Sequence, residues 1–263
     1  MPDLDYSPSE MMTVAAARIL RNGTVCFVGI GLPSAAANLA RLTHAPDAVL
    51  IYESGTIGTK PNVLPLSIGD GELAETADTV VSVPEIFRYW LQAGRVDVGF
   101  LGAAQIDKLG NLNTTVIGGS YCAPRIRLPG AGGAPEIASA AKEVALILKQ
   151  SPRTFVEKLD FVTSSGYVDL SGQQGGPATR GRGPTVVITD LGIMNSARVS
   201  RELVLTFLHP GVTLEQVRSA TGWPLKVAPK LEVTPRPTAV ELSALRDLHA
   251  RTAAAHGTAP QGE

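Results

Sequence analysis

Apolar and polar positions along this chain switch between two periods, and each switch marks an element. Ser7 is placed to cap a helix, with Pro8 at its first position and Glu10 closing a capping box. The apolar-rich stretch from Met11 to Leu20 follows and stops at Asn22-Gly23. Thr24-Val25-Cys26-Phe27-Val28 is short, continuous and β-branched, which reads as a buried strand. Gly29-Ile30-Gly31-Leu32-Pro33 makes a tight turn, and Ser34 is expected to cap an alanine-rich helix ending near Leu42. Ala48-Val49-Leu50-Ile51-Tyr52 is the next strand. Helix, strand, glycine turn, helix, strand predicts a parallel, right-handed βαβ unit.

The alternation continues through a strand at 79–83, a helix over about 85–93 and an apolar strand at 96–101. Further strands are expected at 143–148 and 185–190, with 199–207 pairing near the latter. The pattern predicts one α/β domain over residues 1–251, built on an open, mostly parallel sheet flanked by helices. Residues 171–183, rich in Gly and Gln, cannot bury a core and read as a loop. Residues 252–263 read as an unstructured tail.

Composition narrows the class. With 263 residues, 44% hydrophobic and 18% charged, the chain can bury a large core and is not a disordered polymer. A net charge of −1 with Lys and Arg scattered singly argues against a nucleic-acid surface, which needs clustered cations. The acidic start Met1-Pro2-Asp3-Leu4-Asp5 lacks the pattern of a signal peptide, and no apolar stretch reaches membrane-spanning length. Cys26 and Cys122 are far apart and form no CxxC, so a cytoplasmic location without membrane contact is expected.

Four places carry candidate chemistry. Glu53 ends an apolar strand and is followed by Ser54 and Gly55. At the carboxyl edge of an open α/β sheet, where ligands bind, such a carboxylate is either a capping or salt-bridged group or a catalytic one. Gly29-Ile30-Gly31 is either a plain βα turn or an anion loop; the third glycine of a dinucleotide fingerprint is missing. Pro129-Gly130-Ala131-Gly132-Gly133-Ala134-Pro135 precedes a helix over about 136–142, and its backbone N–H groups can form an anion nest or oxyanion hole. Gln105, just past the strand at 96–101, either orients a substrate or carboxylate, or is a solvated turn residue. Arg88, Arg125 and Arg127 are read as solvated. His44, His209, His249 and His256 share no ligand spacing, so neither a metal site nor a Ser-His-Asp triad is supported, and His209 reads as a structural loop residue.

Taken in order, these pieces resemble the β subunit of class I coenzyme A transferases, the glutaconate type most of all. The resemblance rests on Val28-Gly29-Ile30-Gly31-Leu32-Pro33, Glu53-Ser54-Gly55, Gly102-Ala103-Ala104-Gln105-Ile106-Asp107 with Gly110-Asn111-Leu112-Asn113, and Gly130-Ala131-Gly132-Gly133-Ala134. It continues through Asp160-Phe161-Val162-Thr163-Ser164, Val187-Ile188-Thr189-Asp190-Leu191-Gly192 and His209-Pro210-Gly211-Val212-Thr213, over roughly residues 8–228. It implies the NagB/RpiA/CoA-transferase type of fold and an α-subunit partner in a heterotetramer or larger assembly. It implies Glu53 as nucleophile, with Ser54 and Gly55 beside it. Gly29, Gly31, Gly132 and Gly133 then lie in loops around the thioester and coenzyme, and Gln105 near the active site. Acyl-CoA and carboxylic acid are the implied substrates, with coenzyme A entering as a thioester and no permanently bound cofactor or metal. Relatives on this fold hydrolyse or decarboxylate CoA esters, and a non-catalytic scaffold role is the third reading.

Overall fold

A computed structural model describes residues 5–166 and 183–257 of the chain. Its strands are β1 (Val25–Phe27), β2 (Val49–Ile51), β3 (Thr56–Ile57), β4 (Thr79–Val80), β5 (Val98–Leu101), β6 (Gln105–Ile106) and β7 (Leu112–Asn113), followed by β8 (Val116–Gly119), β9 (Pro124–Arg127), β10 (Glu143–Ile147), β11 (Pro184–Ile188), β12 (Gly192–Ser196), β13 (Leu203–Leu208) and β14 (Lys226–Val233). The helices are α1 (Pro8–Ala17), α2 (Leu32–Leu42), α3 (Gly71–Glu75), α4 (Val83–Glu85), α5 (Ala134–Ala140), α6 (Leu214–Ser219) and α7 (Ala239–His256). A π-helical turn, Ile86–Leu91, continues α4.

Ten strands form one sheet in the order β14-β13-β12-β11-β10-β5-β1-β2-β3-β4, and β6–β7 and β8–β9 are separate hairpins. The five central strands β11, β10, β5, β1 and β2 are parallel. Antiparallel pairings join β3 and β4 at one end and β12 and β13 at the other. The expected open, mostly parallel sheet flanked by helices is therefore what forms.

Each central strand is apolar throughout because both of its faces are covered, and its residues alternate between two cores. Cys26, Leu50, Tyr52, Phe100, Ala145 and Ile147 pack with α1, α2 and Leu245 of α7 on one face. Phe27, Ile51, Leu101, Val144 and Leu146 pack on the other with Ile86 and Leu91 of the π-helical turn, Ile137 of α5 and Val217 of α6. Cys26 is fully buried, and burial pushes its thiol up, as expected of a small core residue.

The helix start expected at Ser7 is present, with both halves of the capping box made. Glu10 is also held by Arg246, and Glu241, the capping-box residue of α7, by Arg18 at 2.7 Å. These two ion pairs tie α7 to α1. Three expectations are corrected. Ser34 does not cap α2: the chain turns earlier, at Gly31 with φ 81°, and Ser34 lies inside the first turn, buried against the Tyr52 hydroxyl at 2.7 Å. The segment expected to pair near β11 instead pairs with β12, a strand whose half-buried Asn195 and Ser196 hid it from the apolar pattern. Thr252 does not begin an unstructured tail: α7 runs to His256, with Thr252 Oγ1 accepting from Leu64 N at 2.8 Å and His256 Nε2 3.1 Å from the Leu64 carbonyl. Apart from Gly183, the loop expected over 171–183 lies outside the described residues, as do residues 258–263.

His209 joins the ends of three strands. Its Nε2–H donates to the Thr189 carbonyl after β11 at 2.8 Å, and its Nδ1 lies 3.0 Å from the Thr234 hydroxyl after β14. The neutral ring satisfies both contacts, and burial lowers its pKa. The unfolded chain therefore binds a proton at this site that the folded chain refuses, and stability must fall as pH drops through the unfolded value of about 6.5. Denaturant unfolding at about pH 7.5 and about pH 5.5 is expected to show this loss, and His209→Gln is expected to lose less across the same window. Equal pH dependence in the two proteins would assign the effect elsewhere.

Candidate active site

The order of strands reverses at β1. The chain passes from β1 through α2 to β2 on one side, then returns to place β5 on the other. A crevice opens outside the carboxyl ends of parallel strands at such a switch point. Here it is a cleft of about 280 Å³. Phe27, Val28 and Gly29 from the end of β1, Phe100 and Leu101 from β5, and Glu53 from the turn after β2 line it. The loop Pro129–Ala134 closes the opposite wall, with Ile68 and Ile137 at its sides.

Glu53 stands two residues beyond β2. Tyr52, fully buried, anchors the preceding position through its hydroxyl contact with Ser34, and burial pushes that phenol up to about 12. Gly55 turns the chain back at φ 109°, with its N–H bonded to the Tyr52 carbonyl at 3.1 Å and its carbonyl accepting from Val81 N at 2.9 Å. Among the described residues, the Glu53 carboxylate accepts no hydrogen bond and enters no ion pair, so neither bland reading, capping nor salt-bridging, has a partner here. Its Oε2 lies 3.3 Å from where a Cβ on Gly133 would stand. The Ser54 and Thr56 hydroxyls in the same turn are buried without a partner. Leaving a hydroxyl so costs about 1–3 kcal/mol.

Of the sequence-derived candidates, the cleft brings together Gly29, Glu53, Gly132 and Gly133. Gly31, Ser54 and Gly55 shape the two turns beside it. Gln105 is placed elsewhere: it is buried in the β6–β7 hairpin, donating from Nε2 to Asp160 at 2.9 Å and accepting at Oε1 from Asn113 at 2.8 Å. Thr114, which follows Asn113, accepts at its carbonyl from Gly130 N at 2.9 Å and donates through Oγ1 to the Gly130 carbonyl at 2.7 Å. Gln105 thus supports the glycine loop from behind. Asp107 accepts from the backbone N–H of Leu109 and Asn111 and from the Asn111 amide, as a turn former does.

Sequence reading missed Ile68, Phe100, Leu101 and Ile137 as cleft walls and Phe87 behind Gly133. Ile68 is an isolated apolar residue in a polar loop, which was the available signal. Among the described residues no three His, Cys, Asp or Glu side chains are grouped to hold a metal, and no helix is long and apolar enough to cross a membrane.

Together these features define an α/β protein whose ligand cleft, at the switch point of the sheet, sets an unpaired carboxylate against a glycine loop. A family model for coenzyme A transferase matches residues 9–220, and the chain belongs to the coenzyme A transferase family. One of the two kinds of subunit of the 3-oxoadipate CoA-transferase of Pseudomonas knackmussii is 67% identical over 96% of each chain. The corresponding subunit of the glutaconate CoA-transferase of Acidaminococcus fermentans is 35% identical, over 90% of this chain and 91% of its own. The crystal structure of glutaconate coenzyme A-transferase from that organism superposes with a TM-score of 0.83 at 31% identity, over 92% of this chain and 94% of that one. The decarboxylase AibA/AibB also shares the fold, with a TM-score of 0.80 at 28% identity over 94% and 96%. The resemblance drawn from the ordered motifs is borne out at the level of family and fold.

Proposed function

We propose that this chain is the β subunit of a heteromeric CoA-transferase, working with an α subunit in the cytoplasm, and that Glu53 is its nucleophile. The carrying observation is the Glu53 carboxylate itself, unpaired at the switch-point cleft and facing the glycine loop. The similarity to a 3-oxoadipate CoA-transferase supports a 3-oxo dicarboxylic acid as the acceptor.

In this reading Glu53 attacks the acyl-CoA thioester, giving an acyl-glutamyl anhydride and CoA thiolate. The thiolate attacks the glutamyl carbonyl, expelling the donor acid and forming a glutamyl-CoA thioester. The acceptor carboxylate attacks that thioester, CoA leaves as thiolate, and its return to the new acyl carbonyl releases acyl-CoA and Glu53. Acid and thioester enter, acid and thioester leave, so the exchange calls for no resident cofactor. Each addition builds an oxyanion, and a loop N–H aimed at it contributes about 3 kcal/mol. The cleft walls Phe27, Phe100, Leu101 and Ile137 are apolar and limit water at the anhydride.

The test is a transfer assay on the complex with its α subunit, using a panel of acyl-CoA donors and 3-oxoadipate, glutaconate and acetate as acceptors. Ping-pong kinetics with 3-oxoadipate preferred is the expected result. The likeness to a decarboxylase gives the competing reading its footing. Release of free CoA or CO₂ at catalytic rates without an acceptor would establish that chemistry instead.

A further inference from the structure

Gly133 has φ −82°, a value any residue adopts, so backbone freedom does not explain a glycine there. Space does. A Cβ at this position would stand 2.7 Å from Phe87 Cζ, 3.0 Å from Phe87 Cε1 and 3.3 Å from Glu53 Oε2. The tip of an aromatic ring and the carboxylate oxygen therefore converge on the same vacant side of Gly133.

Phe87 belongs to the six-residue π-helical turn Ile86–Leu91, a geometry that occurs mostly at functional positions. Phe27, the last residue of β1 and a cleft wall, backs its ring with centroids 6.0 Å apart and planes at 54°. The same turn is fastened to α5 by the hydrogen bond from Gln92 Nε2 to Glu136. A ring edge carries partial positive charge and offers water neither donor nor acceptor, so it suits a carboxylate and repels its hydration.

We propose that Phe87 is the positioning residue for Glu53 and the water-excluding wall of its acyl-enzyme, in the space that Gly133 leaves empty. The proposal rests on Glu53 as nucleophile. In the glutamyl-CoA thioester two attacks compete at one carbonyl carbon. The acceptor carboxylate forms a C–O bond, breaks the C–S bond and keeps CoA in the reaction as thiolate. Water forms a C–O bond and breaks the same C–S bond. CoA then leaves as the thiol with one proton of that water, the second proton passes to solvent, and Glu53 is regenerated with the thioester lost. Phe87 favours the first attack.

Phe87→Leu and Phe87→Ala, each assembled with the α subunit, test this through the ratio of free thiol released to acyl groups transferred in one sample. The ratio is expected to rise about tenfold in Phe87→Ala and less in Phe87→Leu, with thermal unfolding confirming that Phe87→Leu is folded. A folded Phe87→Leu that transfers more slowly at the wild-type ratio would overturn the proposal and leave Phe87 a packing residue. Absence of transfer in the wild-type complex would instead defeat the reading of Glu53, a separate result.

Discussion

Glu53→Ala, assembled with the α subunit, is expected to lose CoA transfer by at least about 10⁴-fold in kcat. Its unfolding free energy is expected to stay within about 0.5 kcal/mol of wild type. The two expectations come from one observation: the carboxylate has no hydrogen-bond or ion-pair partner among the described residues, so the fold loses nothing with it. Glu53→Gln keeps the shape and removes the nucleophile, and is expected to match Glu53→Ala. Glu53→Asp keeps the charge but retracts it by one methylene, for which a loss of about 10²-fold is expected. Borohydride or hydroxylamine trapping in the presence of acyl-CoA should label Glu53 in the wild type alone. A fully active Glu53→Ala complex would remove the nucleophile from the mechanism and favour a scaffold role for this chain.

Gly55→Ala is expected to act through the fold. Gly55 has φ 109°, and a Cβ there would sit 2.0 Å from the Val81 carbonyl oxygen. That oxygen belongs to backbone, and Val81 N is itself bonded to the Gly55 carbonyl at 2.9 Å, so neither partner has room to move. Left-handed strain and backbone overlap together predict a loss of about 3 kcal/mol or more in denaturant unfolding. Whatever folds should also transfer more slowly, by about 10²-fold, because the same turn aims Glu53. Unchanged stability and rate in Gly55→Ala would mean that the turn after β2 does not depend on this contact.

Much of the architecture was legible because its causes are local. The capping box at Ser7, the apolar runs of β1, β2, β5 and β10 and the glycine turns after β1 and β2 depend on residues within a few positions of one another. The misplaced features were those set by distant neighbours. β12 forms although Asn195 and Ser196 break its apolar pattern, because β11 and β13 supply hydrogen bonds on both sides. α7 holds its last turn because Leu64 meets Thr252 and His256. Gln105 and Glu53 both follow apolar stretches toward the same end of the sheet, yet only Glu53 lines the cleft. Asn113 and Asp160 draw the Gln105 side chain into the small hairpin instead.

Residue identity and spacing by themselves determined the family, the α/β class, and the presence of a carboxylate and three glycine turns at strand or loop ends. Periodicity and turn chemistry act over a few residues, and the ordered motifs carry the rest. Only the tertiary structure decided that Glu53 faces Gly133 and shares its vacant side with Phe87. That meeting requires β5 to insert beside β1 on the side opposite β2, so that the loops following separate strands close on one crevice. Pairings between strands far apart in the chain are chosen by the whole sheet and its two cores, and no local stretch of sequence encodes them.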